Sequence, residues 1–249
     1  MKNILKFEFH KLFRQKSFYV CSAIMVVFSV LGIMITKSLA ENNPELITGN
    51  LSGLSALLSA ITSANFIMIS GIFIALFVCT DHDNQTIKNI YSRGFSKTKV
   101  YISKLIVCLC AVIVMLAITL GVSYISGAST FGNELGNGNY LALILGQIPL
   151  VIAYSTLVFA ISSIFRKVGT SIALAILGPS LINTVLNLLD SMLKTDKFKL
   201  SSYWLDSFTT DLTALTTSTT RIIVCVVCSI IYAVGFVVLG LYLSKKQEN

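Results

Sequence analysis

The residues best suited to chemistry stand together in one polar run, TDHDNQTIKNIYSRGFSKTK, residues 80–99. Asp81, His82 and Asp83 are consecutive metal-ligating types. Consecutive side chains on a helix diverge by about 100°, so these three do not converge on one ion as ligands four residues apart do. The chain's other histidine is His10, and no paired cysteines lie near the run. No metal centre is expected. The alternative is a surface that receives another protein.

Elsewhere the chemical inventory is thin. There is no GxxxxGK[ST] loop to cradle nucleotide phosphates, no HExxH, and no Ser-His-Asp constellation. His10 and His82 both fall outside the apolar runs, so histidine chemistry within a bilayer is excluded. The six cysteines are Cys21, Cys79, Cys108, Cys110, Cys225 and Cys228, all in or at the ends of apolar runs. Cys225 and Cys228 have CxxC spacing, but no neighbouring charge lowers a thiol pKa or completes a metal shell, so they read as small apolar residues. No catalytic residue and no cofactor are expected in this chain.

The elements that must position the polar run are membrane spans. The chain has 249 residues, 55% of them hydrophobic and 12% charged, with a mean hydropathy of +0.81. Soluble domains carry about 25% charged residues. Several runs reach about 18 residues without a charge, the length that crosses a hydrocarbon core. We read an all-α membrane protein, one transmembrane domain over residues 1–249, with spans near 18–35, 60–79, 102–126, 140–165, 168–189 and 222–243. The basic start, first apolar run and Ser38-Leu39-Ala40 imitate a signal peptide, but the run is too long for an h-region and reads as an uncleaved span. Only Arg166 and Lys167 separate spans four and five, which makes those helices antiparallel neighbours. Gly178-Pro179 is expected to break span five, with Asn183 and Asn187 buried at the kink.

Charge orients the spans. Fourteen of the 19 lysines and arginines fall on the side that carries both termini, against five on the other. Both termini are therefore expected in the cytoplasm. The net charge of +8 is scattered among spans, so it is an orientation signal and not a nucleic-acid footprint.

Residues 1–16 read as an amphipathic interfacial helix, with Ile4, Leu5, Phe9, Leu12 and Phe13 on one side and Lys6, His10 and Arg14 on another. Ser55, Ser59 and Ser63 recur with Ala56, Ala60 and Ala64 ahead of span two. This small-residue pattern suits either close helix packing or a subunit interface or pathway wall. The outer loop, residues 190–220, is amphipathic and places Tyr203 and Trp204 at headgroup level.

Within the opening run, Asp83 or Asn84 can cap a helix start and Gly94 can end it in left-handed geometry, with Arg93 in the last turn. Ile87, Ile90 and Tyr91 then share one face of a short cytoplasmic helix. No Lys, Arg, Asp, Glu or His lies in the interior of a span, Lys104 sitting near a cytoplasmic end, which argues against a proton-coupled carrier. Sodium coupling through carbonyls and hydroxyls stays open; otherwise energy for uphill movement is expected to enter from a partner at the cytoplasmic face.

The whole pattern resembles permeases of the ABC-2 family. Asp83, then Thr86-Ile87-Lys88-Asn89-Ile90, Ser96-Lys97 and Ser103-Lys104 occupy the places of that family's motif after the second span, with Gln85 for the usual glycine and Lys97 for the usual arginine. The resemblance implies a permease subunit of an ATP-driven exporter in the bacterial cell membrane. Two permease chains, identical or similar, would join two ATPase subunits, which hold the ATP and Mg2+. It further implies that Asp83, Thr86, Ile87, Lys88, Asn89, Ile90, Tyr91, Arg93 and Gly94 form a coupling helix in a groove of the ATPase. The implied substrates are amphipathic: an antibiotic, an antimicrobial peptide or a lipid-like molecule. Small permeases of this length resemble those of bacteriocin or lantibiotic self-protection. The rival readings are a stand-alone carrier or channel, and a membrane sensor or scaffold that transports nothing.

Overall fold

A computed structural model of the chain describes residues 2–42, 52–84, 92, 94–132, 140–193, 199–214 and 217–246. Every regular element among them is helical: α1 (Lys2–Arg14), α2 (Lys16–Asn42), α3 (Gly53–Thr62), α4 (Ala64–Asp83), α5 (Lys97–Phe131), α6 (Tyr140–Phe165), α7 (Val168–Leu193), a 3-10 turn (Leu200–Tyr203), α8 (Leu205–Thr213) and α9 (Thr219–Lys246). Six helical segments are long and apolar enough to cross a membrane, α3 and α4 together making the second. The helices run past the apolar stretches that announce them, because polar residues at both ends extend them beyond hydrocarbon.

Local chemistry explains the joints. Ser52 and Ser55 form a reciprocal capping box at the start of α3. Ser63 leaves helical geometry (φ −58°, ψ 135°) and caps α4 by accepting from the Phe66 N–H, so span two is two helices and not one. Gly132 ends α5 with φ +81° and its N–H on the Ala128 carbonyl. Arg166 turns α6 into α7 at φ +58°, left-handed backbone that a non-glycine residue rarely adopts.

Helix α6 is the axis of the bundle, with 67% of its apolar window buried against 11% for α7, 17% for α9 and 22% for α2. One face of α6 (Val151, Val158, Phe159) joins a core with Phe73, Phe77, Tyr101 and Met115. An adjacent face (Leu143, Leu150, Tyr154) joins a second core with Leu58, Leu205, Phe208 and Ile222. Cys225 packs in that second core.

Three expectations are corrected here. Helix α7 continues through Pro179 without interruption, because a proline costs only local backbone bonds that neighbours can replace. Trp204 is buried, not at headgroup level: it donates its indole N–H to the Pro179 carbonyl at 3.2 Å and meets the Tyr232 ring edge-on. The amides of Asn183 and Asn187 are not buried; Asn187 is exposed and donates to Asn183 Oδ1 at 3.3 Å.

The loop after α7 re-enters the bundle. Tyr232, midway along α9, donates to the Tyr203 carbonyl at 3.0 Å. Pro179, which accepts from Trp204, and Tyr154, which donates its hydroxyl to Asp206, are likewise midway along α7 and α6. Leu205, Phe208 and Leu212 stand at i, i+3 and i+7 on α8 and are fully buried. Gln147 clamps the return, donating to the carbonyls of Leu212 (2.9 Å) and Leu58 (3.3 Å). Arg221 closes the top on Asp211 at 2.8 Å and on the Ser202 carbonyl at 2.6 Å.

Candidate functional site

At the end of the bundle that carries both termini, four ionisable residues from three helices meet in a buried cluster. Asp81, in the last turn of α4, receives Lys11 of α1 on one carboxylate oxygen and Lys104 of α5 on the other. The side chains of Asp81 and Lys104 are 5% and 4% exposed, so the pair is almost dry, while Lys11 at 23% reaches the edge. Lys11 also stands 4.6 Å from the centroid of the Phe77 ring, whose face attracts a cation. Glu8, one turn before Lys11, is fully buried, and neither of its carboxylate oxygens has a hydrogen-bond partner.

The electrostatics follow from burial. Loss of hydration pushes the Glu8 carboxyl above its ordinary value of 4.5. Lys104 and Lys11 pull against that rise, and Asp81 adds to it. With both carboxylates ionised the cluster is neutral, two cations against two anions. With Glu8 protonated it carries one positive charge. A buried ion pair is held by geometry, and separating it leaves a bare charge in low dielectric. The cluster therefore ties the end of α4, the start of α5 and α1 into one unit.

Residues 84–96 join the two ends that this unit grips, α4 ending at Asp83 and α5 starting at Lys97. Asp81, His82 and Asp83 diverge as expected: Asp81 is buried, His82 half-buried and Asp83 exposed. Asp83 ends α4 and Asn84 is its C-cap, with its N–H on the Thr80 and His82 carbonyls; the helix that either residue is expected to start lies outside the described residues. Gly94 is exposed, with φ +81°. Thr86, Ile87, Lys88, Asn89, Ile90, Tyr91 and Arg93 lie outside the described residues.

The remaining candidates separate. On α1, the buried face is Ile4, Glu8 and Leu12, packed towards α5. Leu5 and Phe9 are half-buried and Phe13 is exposed, so the apolar side of this helix is split between the bundle and its surroundings. Ser55 and Ser63 are half-buried and Ser59 exposed, all on the wall of a cavity between α2, α3 and α5. Ala56, not a serine, makes the close helix contact there: a Cβ on Gly127 would come within 2.7 Å of it.

A family model described as "ABC-2 family transporter protein" matches residues 4–181. The chain belongs to the ABC-2 family of transporter proteins. No curated protein matches it. The matched stretch of this ABC-2 chain contains all four members of the charge cluster, the polar run and most of the first five spans. Its role is that of a membrane transport component and not a catalyst.

Sequence reasoning missed the cluster while quoting its parts. The signals were present. Glu8 interrupts the Ile4–Leu12 stripe at exact helical spacing, four residues from each, and an acid so placed needs a buried base. Asp81 and Lys104 stand at the facing ends of consecutive spans, which are antiparallel by chain order. Asp206 was assigned to the outer loop; nothing in the sequence alone shows that this loop folds back to receive Tyr154 at mid-height of α6.

Proposed function

We propose that this chain is the permease subunit of an ATP-driven exporter, oriented with both termini in the cytoplasm of a bacterium. In this reading two permease chains work with two ATPase subunits, and ATP and Mg2+ reside in the ATPases. The observation that supports the reading is the Asp81 cluster, which grips the end of α4 and the start of α5, the two helices that residues 84–96 join. A chain with no nucleotide loop of its own needs a rigid point through which a partner's movement enters the membrane. Asp81 supplies it: a displacement of residues 84–96 moves α4, α5 and α1 together, because each is gripped by a charge that cannot be left behind. The substrate class is an amphipathic molecule removed from the membrane or the cell.

Affinity capture of the tagged chain from its native membrane, read by mass spectrometry, tests this. An ABC ATPase and a second permease chain are expected in the complex. The double change Ile87→Asp and Ile90→Asp removes the ATPase while the chain stays inserted. Retention of the ATPase by that variant overturns the assignment of the face. Ion-gradient-driven uptake into liposomes holding this chain alone would instead establish a stand-alone carrier.

A further inference from the structure

We propose that the cavity between α2, the α3–α4 joint and α5 binds a neutral amphipathic molecule bearing a hydroxyl or amide donor, admitted sideways from the membrane. The cavity has a volume of about 420 Å³ and lies in the half of the bundle away from the termini. That volume falls within the range of about 300–1,000 Å³ typical of small-molecule sites.

Its lining defines the ligand. Ser29, Thr36, Ser55, Ser59 and Ser63 each donate their hydroxyl hydrogen to a backbone carbonyl of the preceding turn. The oxygens of Ser29, Thr36 and Ser59 therefore keep lone pairs for the cavity, while those of Ser55 and Ser63 each already accept one backbone N–H, from Ser52 and Phe66, and keep one. Ser123, on the α5 wall, is fully buried, and its hydroxyl has no hydrogen-bond partner. A buried polar group left unmade is costly, and a ligand group in the cavity is the simplest partner for it. Phe28, Ile33, Phe66 and Ile69 supply an apolar wall for a hydrocarbon body. Among the described residues no Lys, Arg, Asp, Glu or His lines the space, so a charged head would meet no counterion from them. Phe28 is exposed at the side, next to the exposed Leu31 and Ile35 of α2, which marks the entrance as facing hydrocarbon rather than water.

The break at Ser63 makes the site. A continuous helix would bond its backbone internally across this joint; here α3 ends and α4 begins anew, and Ser55 and Ser59 of α3 and Ser63 of the joint flank the space. Gly32 on the opposite wall leaves room, because a Cβ there would meet nothing within 4 Å.

The test uses the full chain in phosphatidylcholine vesicles with a photoactivatable monoacylglycerol as probe. Two probes of the same chain length serve as comparisons: a fatty-acid methyl ester, which lacks the donor, and a free fatty acid, which carries charge. Labelled peptides are mapped by mass spectrometry. The monoacylglycerol is expected to label the walls of α2 and α3 about fivefold more than either comparison, relative to the lipid-facing residues Val234 and Val238 of α9. Gly32→Leu extends into the cavity from a position where a Cβ meets nothing within 4 Å and should reduce wall labelling to the level on α9. Ser123→Ala should remove part of the preference for the hydroxyl probe over the ester. Should Gly32→Leu fail to insert, Ser59→Leu fills the space from the other side. Equal labelling by the three probes, or labelling unchanged by the filling variants, overturns the proposal. Lipid extraction then identifies the source: a stoichiometric neutral lipid in the purified chain marks a resident lipid, and probe binding to a lipid-free chain marks a solute. Binding is read in this chain without an ATPase, so it stands or falls separately from the exporter reading.

Discussion

Asp81 holds two lysines, and Asp81→Asn leaves both without that counterion in a nearly dry site. Breaking a buried ion pair from one side costs about 3–5 kcal/mol. Thermal unfolding in detergent should show a large loss for Asp81→Asn, while Asp83→Asn, two residues on and exposed, should stay within about 0.5 kcal/mol of the parent. Glu8 gives the cluster a pH dependence. Burial raises its pKa above the ordinary 4.5, so the folded chain binds that proton more tightly than the unfolded chain does. The resulting contribution to stability is complete below 4.5 and is lost as pH rises through the raised folded value. Glu8→Gln keeps the shape and cannot ionise. Its melting temperature should therefore fall less than that of the parent between pH 4.5 and neutrality, and parallel curves for the two proteins would remove Glu8 from the account.

Helix packing turns on a few small residues. Gly127 of α5 faces Ala56 and Gly53 of α3, and a Cβ there would stand 2.7 Å from Ala56 Cβ and 3.3 Å from Gly53 Cα. Gly127→Val should lower stability by about 1–3 kcal/mol through forced separation of α3 from α5. Gly121, one and a half turns earlier and open on its surface, is the control: Gly121→Ala should be neutral or gain about 0.5–1 kcal/mol in helix propensity. Much of this level was legible beforehand. Apolar runs announced six spanning segments, and the two-residue link at Arg166 and Lys167 announced an antiparallel pair. The Ser63 break was not legible, because serine and alanine are ordinary residues in membrane helices and only the capping geometry distinguishes a joint from a turn. Pro179 misled in the other direction: a proline marks a broken backbone bond, while the neighbours that stabilise the helix around it are set by the tertiary fold. The re-entrant path of α8 was hidden for the same reason. An amphipathic segment of nine residues reads alike whether its apolar face meets lipid or a bundle.

The bundle is unevenly covered. Helix α6 is the buried axis, whereas α7, α9 and α2 present most of their surface outward. On α7 that outward surface includes the Asn187–Asn183 pair and the exposed Thr184, polar groups that hydrocarbon cannot solvate. A second permease chain or a shared pathway would give them partners. If so, changing both amides to leucine should weaken self-association, read as a lower dimer fraction by mass photometry in detergent, while the single chain melts higher. An unchanged dimer fraction would place the contact elsewhere. The charge cluster, finally, has a bearing on how the protein is made. Its members emerge from the ribosome in the order Glu8, Lys11, Asp81, Lys104, so acid and base alternate along the growing chain. Glu8 and Lys11 leave first as a balanced couple on one helix. Asp81 arrives with the second span, before Lys104 exists to neutralise it, and has only Lys11 to meet. A chain made only through the second span thus holds Glu8, Lys11 and Asp81 without Lys104. Synthesis of the third span then closes the cluster, and a nascent chain stopped short of residue 104 would lack the base that seals it.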